Sequence, residues 1–441
     1  MIVGRMMTER DLPITLFGTH IGELTSIDNR ALLRWADDAE ERWGLNSPVL
    51  SRNLRVSLTN TDQTESFFGA LLPEGRHLNQ LASSAKTVSN DLVGLLRNVG
   101  ADLAGALRVG HRPDPLPPEV LTPSEVAALL SSASGFLVGG GGSALPGFQR
   151  KLTLTREGGH WVRGNGSIAS THILKPVDAQ YRSSVESEHY VLQIAQRLGL
   201  ATYETWVERM GDLEVLVIQR YDRRRSPDGQ IERIHQEDAG QAIGLPWGGN
   251  DKFERNNAAS NLKAVAEMLD LNRSVVSRER YRDRLQLLRY TTLNVAAGNT
   301  DAHAKNFSLL HDAQGRTRLA PFYDAAPLAL DYSLGTALAM KVNGVSQLPD
   351  VTSENLVAEA VSWDLPADLS RQTIARTLDQ IVEATRAIQP HESIEKHVPG
   401  YIRGQAQNLA RGEKARILSP IPLMAMPRLG TPDTRVEQAH T

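Results

Sequence analysis

Asn299-Thr-Asp-Ala-His-Ala-Lys-Asn306 sets an aspartate, Asp301, and an asparagine, Asn306, in the D-x-x-x-x-N spacing of a phosphotransfer loop. Such a reaction needs a carboxylate to accept the proton of the attacking hydroxyl and an oxygen ligand to hold magnesium on the phosphates. One short loop can aim both into a single cleft, with Asp301 as the base and Asn306 as the ligand. Taken alone, the same letters also describe a capped loop after a helix. The flanking sequence has to separate the two readings.

Downstream, Gly315 supplies a hairpin turn and the apolar run Leu319-Ala-Pro-Phe-Tyr-Asp324 reads as a strand ending in a carboxylate, where kinases place a second magnesium ligand. Asp324 equally suits a cap on the residues from Ala325 onward. Upstream, Thr171-His-Ile-Leu-Lys175 sets a lysine at the end of an apolar strand, the position from which an ammonium holds α- and β-phosphates. A helix expected over Ser184 to Leu198, closed by Gly199, brings Glu188 within reach of Lys175. Before the lysine, Val138-Gly-Gly-Gly-Gly-Ser-Ala-Leu-Pro-Gly-Phe-Gln-Arg-Lys151 is glycine-rich, suited to close backbone approach to phosphate and equally to a linker. It is neither a Walker A motif nor a dinucleotide fingerprint. Val215-Leu-Val-Ile-Gln-Arg-Tyr-Asp222 is an apolar strand turning polar, as a hinge between lobes must, and Tyr221 suits packing on a purine or covering the lobe junction. The run Arg220, Arg223, Arg224 and Arg225 reads as a solvated surface. Each piece is common, but their order, glycine loop, lysine strand, glutamate helix, hinge, D-x-x-x-x-N and terminal carboxylate, is that of a two-lobed ATP phosphotransferase.

Composition sets the frame for this reading. At 441 residues the chain exceeds one core, so two or three lobes are expected. Hydrophobic residues at 41% and charged residues at 22% indicate folding over most of the length. A net charge of -3 offers no general positive field for nucleic acid. The absence of cysteine removes disulfides, thiolate zinc sites and Cys nucleophiles. Residues 1 to 11 lack a signal-peptide core and no apolar run is long enough for a bilayer, so the expectation is cytoplasmic, without membrane.

Outward from the loop, Arg278 to Ala297 carries a helical stripe of Tyr281, Leu285, Leu288, Thr292 and Val295. At the other end of the chain, Leu12 to Phe17, Ile21 to Leu24 and Leu54 to Leu58 read as strands, with helices around Glu65 to Leu72 and Ser89 to Val99. Pro113, Pro115, Pro117 and Pro118 mark a boundary, and Thr122-Pro-Ser-Glu125 a capped helix start. The expected fold is α+β, a two-lobed protein-kinase-like fold with an N-terminal α/β subdomain and a mainly helical C-terminal lobe. Its divisions are an N-terminal subdomain at 12–110, a linker and short helix at 111–134, an N-lobe at 135–225, a catalytic C-lobe at 226–418 and a loose tail at 419–441.

Gly147-Phe-Gln-Arg-Lys151, Thr171 to Lys175, Gln219 to Asp222, Gln236-Glu-Asp238, Thr300 to Ser308 and Pro321-Phe-Tyr-Asp324 together resemble the HipA family of bacterial toxin kinases. Phe67-Phe-Gly-Ala-Leu-Leu-Pro-Glu74 and Gly100-Ala-Asp-Leu-Ala-Gly-Ala-Leu107 resemble its non-kinase subdomain, so the likeness runs from about Leu12 to Leu418. The resemblance implies serine/threonine kinase activity with ATP and Mg2+, growth arrest or persistence through phosphorylation of an aminoacyl-tRNA synthetase, with glutamate-tRNA ligase the first expectation, and neutralisation by a HipB-like helix-turn-helix antitoxin through which alone DNA is met. By position it implies Asp301 as base, Asn306 and Asp324 on magnesium, and Lys175 and Lys151 facing phosphate. It makes Gln219, Arg220 and Tyr221 the hinge, His303 a nucleotide neighbour, and Gln149 and Glu188 supporting groups. One departure concerns autophosphorylation, for which the family uses a serine three residues before its loop glycine. That place is Ala144 here, and Ser143 precedes it. Two rivals stand beside this reading: a small-molecule kinase of aminoglycoside phosphotransferase type, although Asn299 and Thr300 replace its usual His-Gly, and a catalytically dead scaffold that holds a repressor on DNA.

Overall fold

In the computed structural model the described residues are 11–28, 30–57, 63–111, 117–132, 145, 151–164, 166–177, 182–269, 281–331 and 334–416. Alternation of buried and half-buried positions along Leu12–Leu16 makes one face of that strand apolar. It pairs with Thr19–Ile27 on one side and Leu107–Val109 on the other, and Arg30–Trp35 closes a four-stranded antiparallel sheet. The helices Gln63–Gly69, Arg76–Ser84 and Leu92–Val99 pack against it through Phe67, Leu78 and Leu96, building a core separate from those of the lobes. No strand forms over residues 54–57, where one was expected from Leu54 to Leu58. Val56 is held in a tight loop instead, its carbonyl accepting from Asn46 N–H at 2.8 Å and its N–H donating to the Ser47 carbonyl at 3.1 Å.

The second sheet has six antiparallel strands in the order Glu119–Leu121, His160–Arg163, Leu152–Glu157, His172–Pro176, Leu213–Gln219 and Thr205–Met210. Residues expected as linker therefore belong to this lobe. Glu119–Leu121 adds an edge strand, and the helix Pro123–Ser131, begun by the Thr122–Glu125 capping box, buries Val126 and Leu130 against Leu154 and Met210. The reason is that this sheet's outer face is apolar and needs a covering element. Its inner face carries the helix Arg182–Arg197.

The C-terminal lobe is built around the helix Arg282–Ala297. Its second half is buried all round, from Leu287 through Ala297 with the exception of Arg289, rather than along one stripe as expected. Its polar side chains satisfy themselves locally: the Thr291 and Thr292 hydroxyls donate to the carbonyls of Leu287 and Leu288 at 3.0 and 2.8 Å. Helices Ser353–Ser362, Ala367–Ala387 and Val398–Ala410 surround it. A three-stranded sheet, His235–Asp238, Ser308–His311 and Thr317–Leu319, holds the segment after the D-x-x-x-x-N loop. The run expected as a strand through Asp324 stops at Leu319, because Pro321 has no N–H for a ladder.

The N-terminal module is joined to the lobes by buried charge. The arginine run expected at the surface is divided: Arg224 and Arg225 are exposed, whereas Arg220 and Arg223 are 3% and 7% exposed. The Arg220 guanidinium donates to both Asp222 carboxylate oxygens at 2.9 and 2.8 Å, and Arg223 reaches Asp102 of the N-terminal module at 3.1 Å. Arg233 also meets Asp102, at 3.2 Å. Gly105 N–H donates to Asp222 at 2.8 Å, in a left-handed conformation where a Cβ would stand 2.7 Å from the Gln236 nitrogen. A second seam lies nearby, where Glu237 accepts from Ser51 Oγ at 2.5 Å and Arg52 N–H at 2.9 Å and pairs with His311 at 3.0 Å.

Removing one member of a buried ionic cluster leaves unpaired charge, at a cost of about 3–5 kcal/mol. Asp102→Ala should therefore lower the urea midpoint strongly, while Arg224→Ala, at an exposed Glu232 pair, should leave it nearly unchanged.

Candidate functional site

The helix Arg282–Ala297 ends at Gly298, which adopts the left-handed conformation that helices use to stop. Only glycine fits, since a Cβ would lie 2.6 Å from the Tyr401 ring. Asn299 then turns the chain: its amide donates to Asn294 Oδ1 at 2.9 Å while its side-chain oxygen accepts from Asp301 N–H at 3.2 Å. Asn306 closes the loop by donating to the Asp301 carbonyl at 2.9 Å, which leaves its Oδ1 as the atom for a cation. Tyr323 ties this loop to the next, its hydroxyl donating to the Lys305 carbonyl at 2.8 Å.

Asp324 follows with φ 54, a left-handed backbone that an aspartate tolerates and that ends any strand. Its carboxylate accepts from Lys175 Nζ at 3.0 Å, and Lys175 also donates to Glu188 at 2.7 Å. Lysine strand, glutamate helix and terminal carboxylate thus meet at one ammonium. Lys175 holds the Asp324 carboxyl well below the usual range against the opposing effect of burial. Burial would depress the Lys175 ammonium, but Asp324 and Glu188 outweigh it and hold its pKa above the ordinary value.

Lys175, Asp301, Asn306 and Asp324 line one cleft of about 230 Å³ together with Lys151, Glu188 and His303. Burial pushes Asp301 up to about 6, with Lys252 opposing and the neighbouring Asp324 and Glu74 carboxylates adding to it. Burial, with Lys175 alongside, lowers Lys151 to about 8. His303 is brought down to about 3 by burial and by Lys252, so its imidazole is neutral; its ring stands edge-on to Phe253, and Nδ1 has no partner among the described residues.

Gln219, Arg220 and Tyr221 line the same cleft where the two lobes meet. The Arg220 guanidinium, however, is committed to the Asp102 and Asp222 cluster. Tyr221 packs between Tyr203 and Tyr323, with ring centroids 5.9 and 5.7 Å away. Ser143, Gln149 and the rest of the glycine-rich segment lie outside the described residues, Leu145 and Lys151 excepted.

Among the lining residues that escaped sequence reasoning are Glu74, Lys252 and Lys305. Glu74 takes Lys252 on one oxygen at 2.6 Å and Lys305 on the other at 2.8 Å. Lys305 stood inside the catalytic motif and Glu74 ended the quoted Leu-Leu-Pro-Glu stretch, but nothing in the sequence paired them, and Lys252 sits in a polar loop with no motif of its own.

Among the described residues there is no group of three or more His, Cys, Asp or Glu side chains arranged to hold a metal. Magnesium in phosphotransfer sites takes one or two protein oxygens and completes its shell with phosphate and water, and one amide oxygen beside one half-exposed carboxylate suits that pattern.

Residues 12–110 match the HipA N-terminal domain and residues 143–388 the HipA-like C-terminal domain. The chain belongs to the HipA family. The Sinorhizobium fredii protein Y4mE, named as a kinase, is 30% identical over 87% of this chain and 92% of its own. The serine/threonine-protein kinase toxin HipA of Shewanella oneidensis is 26% identical over 78% of this chain and 81% of its own. The fold is that of HipA in the Shewanella oneidensis complex of HipA, HipB and operator DNA, with TM-score 0.73 and 23% identity over 91% of this chain and 97% of that one. Among the described residues no helix is long and apolar enough to cross a membrane.

A carboxylate held above its unfolded pKa costs stability once it ionises. Asp301→Asn should therefore raise the melting temperature of the nucleotide-free protein at pH 7.5, by the equivalent of about 1–2 kcal/mol after solvent screening. The gain should vanish as pH falls through about 6 toward 4, where Asp301 itself is protonated.

Proposed function

We propose that the cleft binds ATP with Mg2+ and transfers the γ-phosphate to a serine or threonine hydroxyl of another protein. The observation behind this reading is the meeting of Lys175, Asp301, Asn306 and Asp324 in one cleft, with Lys175 clamped between carboxylates from two lobes. Lys175 and Lys151 face the α- and β-phosphates, and Lys151 regains full charge against a triphosphate. The backbone of Gln219 to Tyr221 borders the base. Asp301 accepts the acceptor hydroxyl's proton as that oxygen bonds to the γ-phosphorus and the bond to ADP breaks. Asn306 Oδ1 and Asp324 would hold Mg2+, which when bound neutralises charge on the phosphates. Neutral His303 borders the site without competing for the proton.

Membership of a toxin-kinase family supports extending this to a cytoplasmic target whose phosphorylation arrests growth or gives persistence, an aminoacyl-tRNA synthetase such as glutamate-tRNA ligase, and to autophosphorylation on Ser143. The Shewanella oneidensis complex supports a HipB-like antitoxin as partner and as the only bridge to DNA.

With labelled ATP and magnesium, wild-type protein should label a protein acceptor, and Asp301→Asn should reduce transfer by at least about 10²-fold. Full activity in that variant would end the base assignment. The kcat/KM profile should fall about tenfold per pH unit below about 6, as the base becomes protonated. Mass spectrometry of the incubated protein should find phosphate at Ser143.

A further inference from the structure

A second cavity, of about 880 Å³, shares no lining residue with the phosphotransfer cleft. The N-terminal module supplies Arg108, on the strand Leu107–Val109. The hairpin of Arg223–Arg225 and Ile231–Arg233 supplies Arg224 and Arg233, and the hairpin of Ser308–His311 and Thr317–Leu319 supplies Arg316 and Arg318. Arg282 adds a sixth guanidinium from the start of the central helix. Against these the lining holds two carboxylates, Glu232 and Asp312, each already paired within its own hairpin, with Arg224 and with Arg316. A chain of net charge -3 thus makes one of its cavities strongly positive.

The excess continues behind the wall. In the seam between module and lobes, Arg220, Arg223 and Arg233 share two carboxylates, Asp102 and Asp222. Three guanidiniums on two carboxylates leave one positive charge unanswered within the cluster, where no side chain is more than 7% exposed. Of these five residues, Arg233 is the one that lines the second cavity. Its Nη2 donates to the Ala101 carbonyl at 3.1 Å and meets Asp102 at 3.2 Å, but its Nε and Nη1 are buried with no acceptor among the described residues. Burial lowers the Arg233 guanidinium to about 10, and the like charge of Arg108 adds to that effect against the pull of Asp102. Buried charge without a counterion is costly, and an oxyanion in the cavity supplies one.

From this arrangement we infer a second ligand site: the cavity binds a soluble anion that carries two or more phosphate groups. Its volume is that of a ligand pocket and far exceeds a single phosphate. The guanidiniums stand on separate walls, so one charged group at one point cannot meet them together. Every cation of the lining is arginine and none is lysine, which suits the planar, two-pronged contact of guanidinium with phosphate oxygens. Six guanidiniums against two carboxylates also call for high charge density, which phosphate groups supply more compactly than carboxylates. Since one wall belongs to the N-terminal module and the rest to segments after the hinge, the bound anion fastens the module to the lobe. The inference does not depend on the phosphotransfer reading.

The test is isothermal titration of the full-length protein, free of nucleotide and metal, with inorganic triphosphate. Wild type and Lys151→Gln are each compared with and without Arg318→Gln, and Arg108→Gln serves as a second variant. Arg318 is exposed, so Arg318→Gln keeps the test intact should Arg108→Gln, at a half-buried position, fail to fold. Lys151→Gln alters the other cleft and should retain a triphosphate site of unchanged affinity. Arg318→Gln should weaken that site at least about tenfold in either background. Its affinity should fall as salt rises, and triphosphate should raise the wild-type melting temperature. Absence of binding by wild type would overturn the inference, as would binding that Lys151→Gln abolishes and the arginine variants leave intact. Sulfate as tight as triphosphate at equal ionic strength would reduce the cavity to an adventitious ion only. A duplex oligonucleotide held by the same arginines more tightly than triphosphate would make the occupant nucleic acid and refute the small-anion site.

Discussion

A single buried ammonium organises the molecule. Lys175 comes from a strand of the six-stranded sheet, Glu188 from the helix across its inner face, and Asp324 from a loop of the helical lobe. An isolated charge at such a depth would lose its proton or unfold the site, so its retention requires both carboxylates in place. The two lobes are thereby set at one separation, and that separation makes a cleft with Asp301 and Asn306 on the facing side.

The third body is fastened by the same physics. Asp102 of the N-terminal module sits among Arg220, Arg223 and Arg233, and Glu237 of the C-lobe takes the Ser51 hydroxyl and Arg52 amide in return. Buried ion clusters add little net stability over apolar packing, but they tolerate few alternative arrangements. Arg220, at the end of the strand Leu213–Gln219 and fully engaged with the neighbouring module, therefore ties that module's position directly to this strand bordering the cleft. Glu74 extends the contact to the D-x-x-x-x-N loop through Lys305, and with Ala70 and Leu71 lines the cleft.

Stability and chemistry pull against each other at Asp301. Burial and neighbouring carboxylates raise its proton affinity toward the range where a general base works best, and they do so by making its ionised form costly. The surroundings carry that cost through Asn299 and Asn306, whose side chains bond to the loop backbone and keep it from relaxing.

Much of this was present in the order of residues. Local rules are enough to place Gly199 as a helix stop, Thr122 and Glu125 as a capping box, Gly315 as a hairpin turn and Asp301 with Asn306 on one loop, because each depends on neighbours a few positions away. The family and the two-lobed α+β fold were legible for the same reason, as a fixed succession of short motifs. What local rules do not contain is the partner of a charge. Arg220 and Arg224 are indistinguishable as letters, yet one is sealed against Asp102 and the other lies in water, since burial is set by a module more than a hundred residues away. Glu74, Lys252 and Lys305 are ordinary surface residue types that became a site only when three distant turns were packed together. Sequence by itself determined the family and the two-lobed fold of this chain; tertiary structure alone decided which charges meet in its cleft, because electrostatic pairing depends on distance in space and not along the chain.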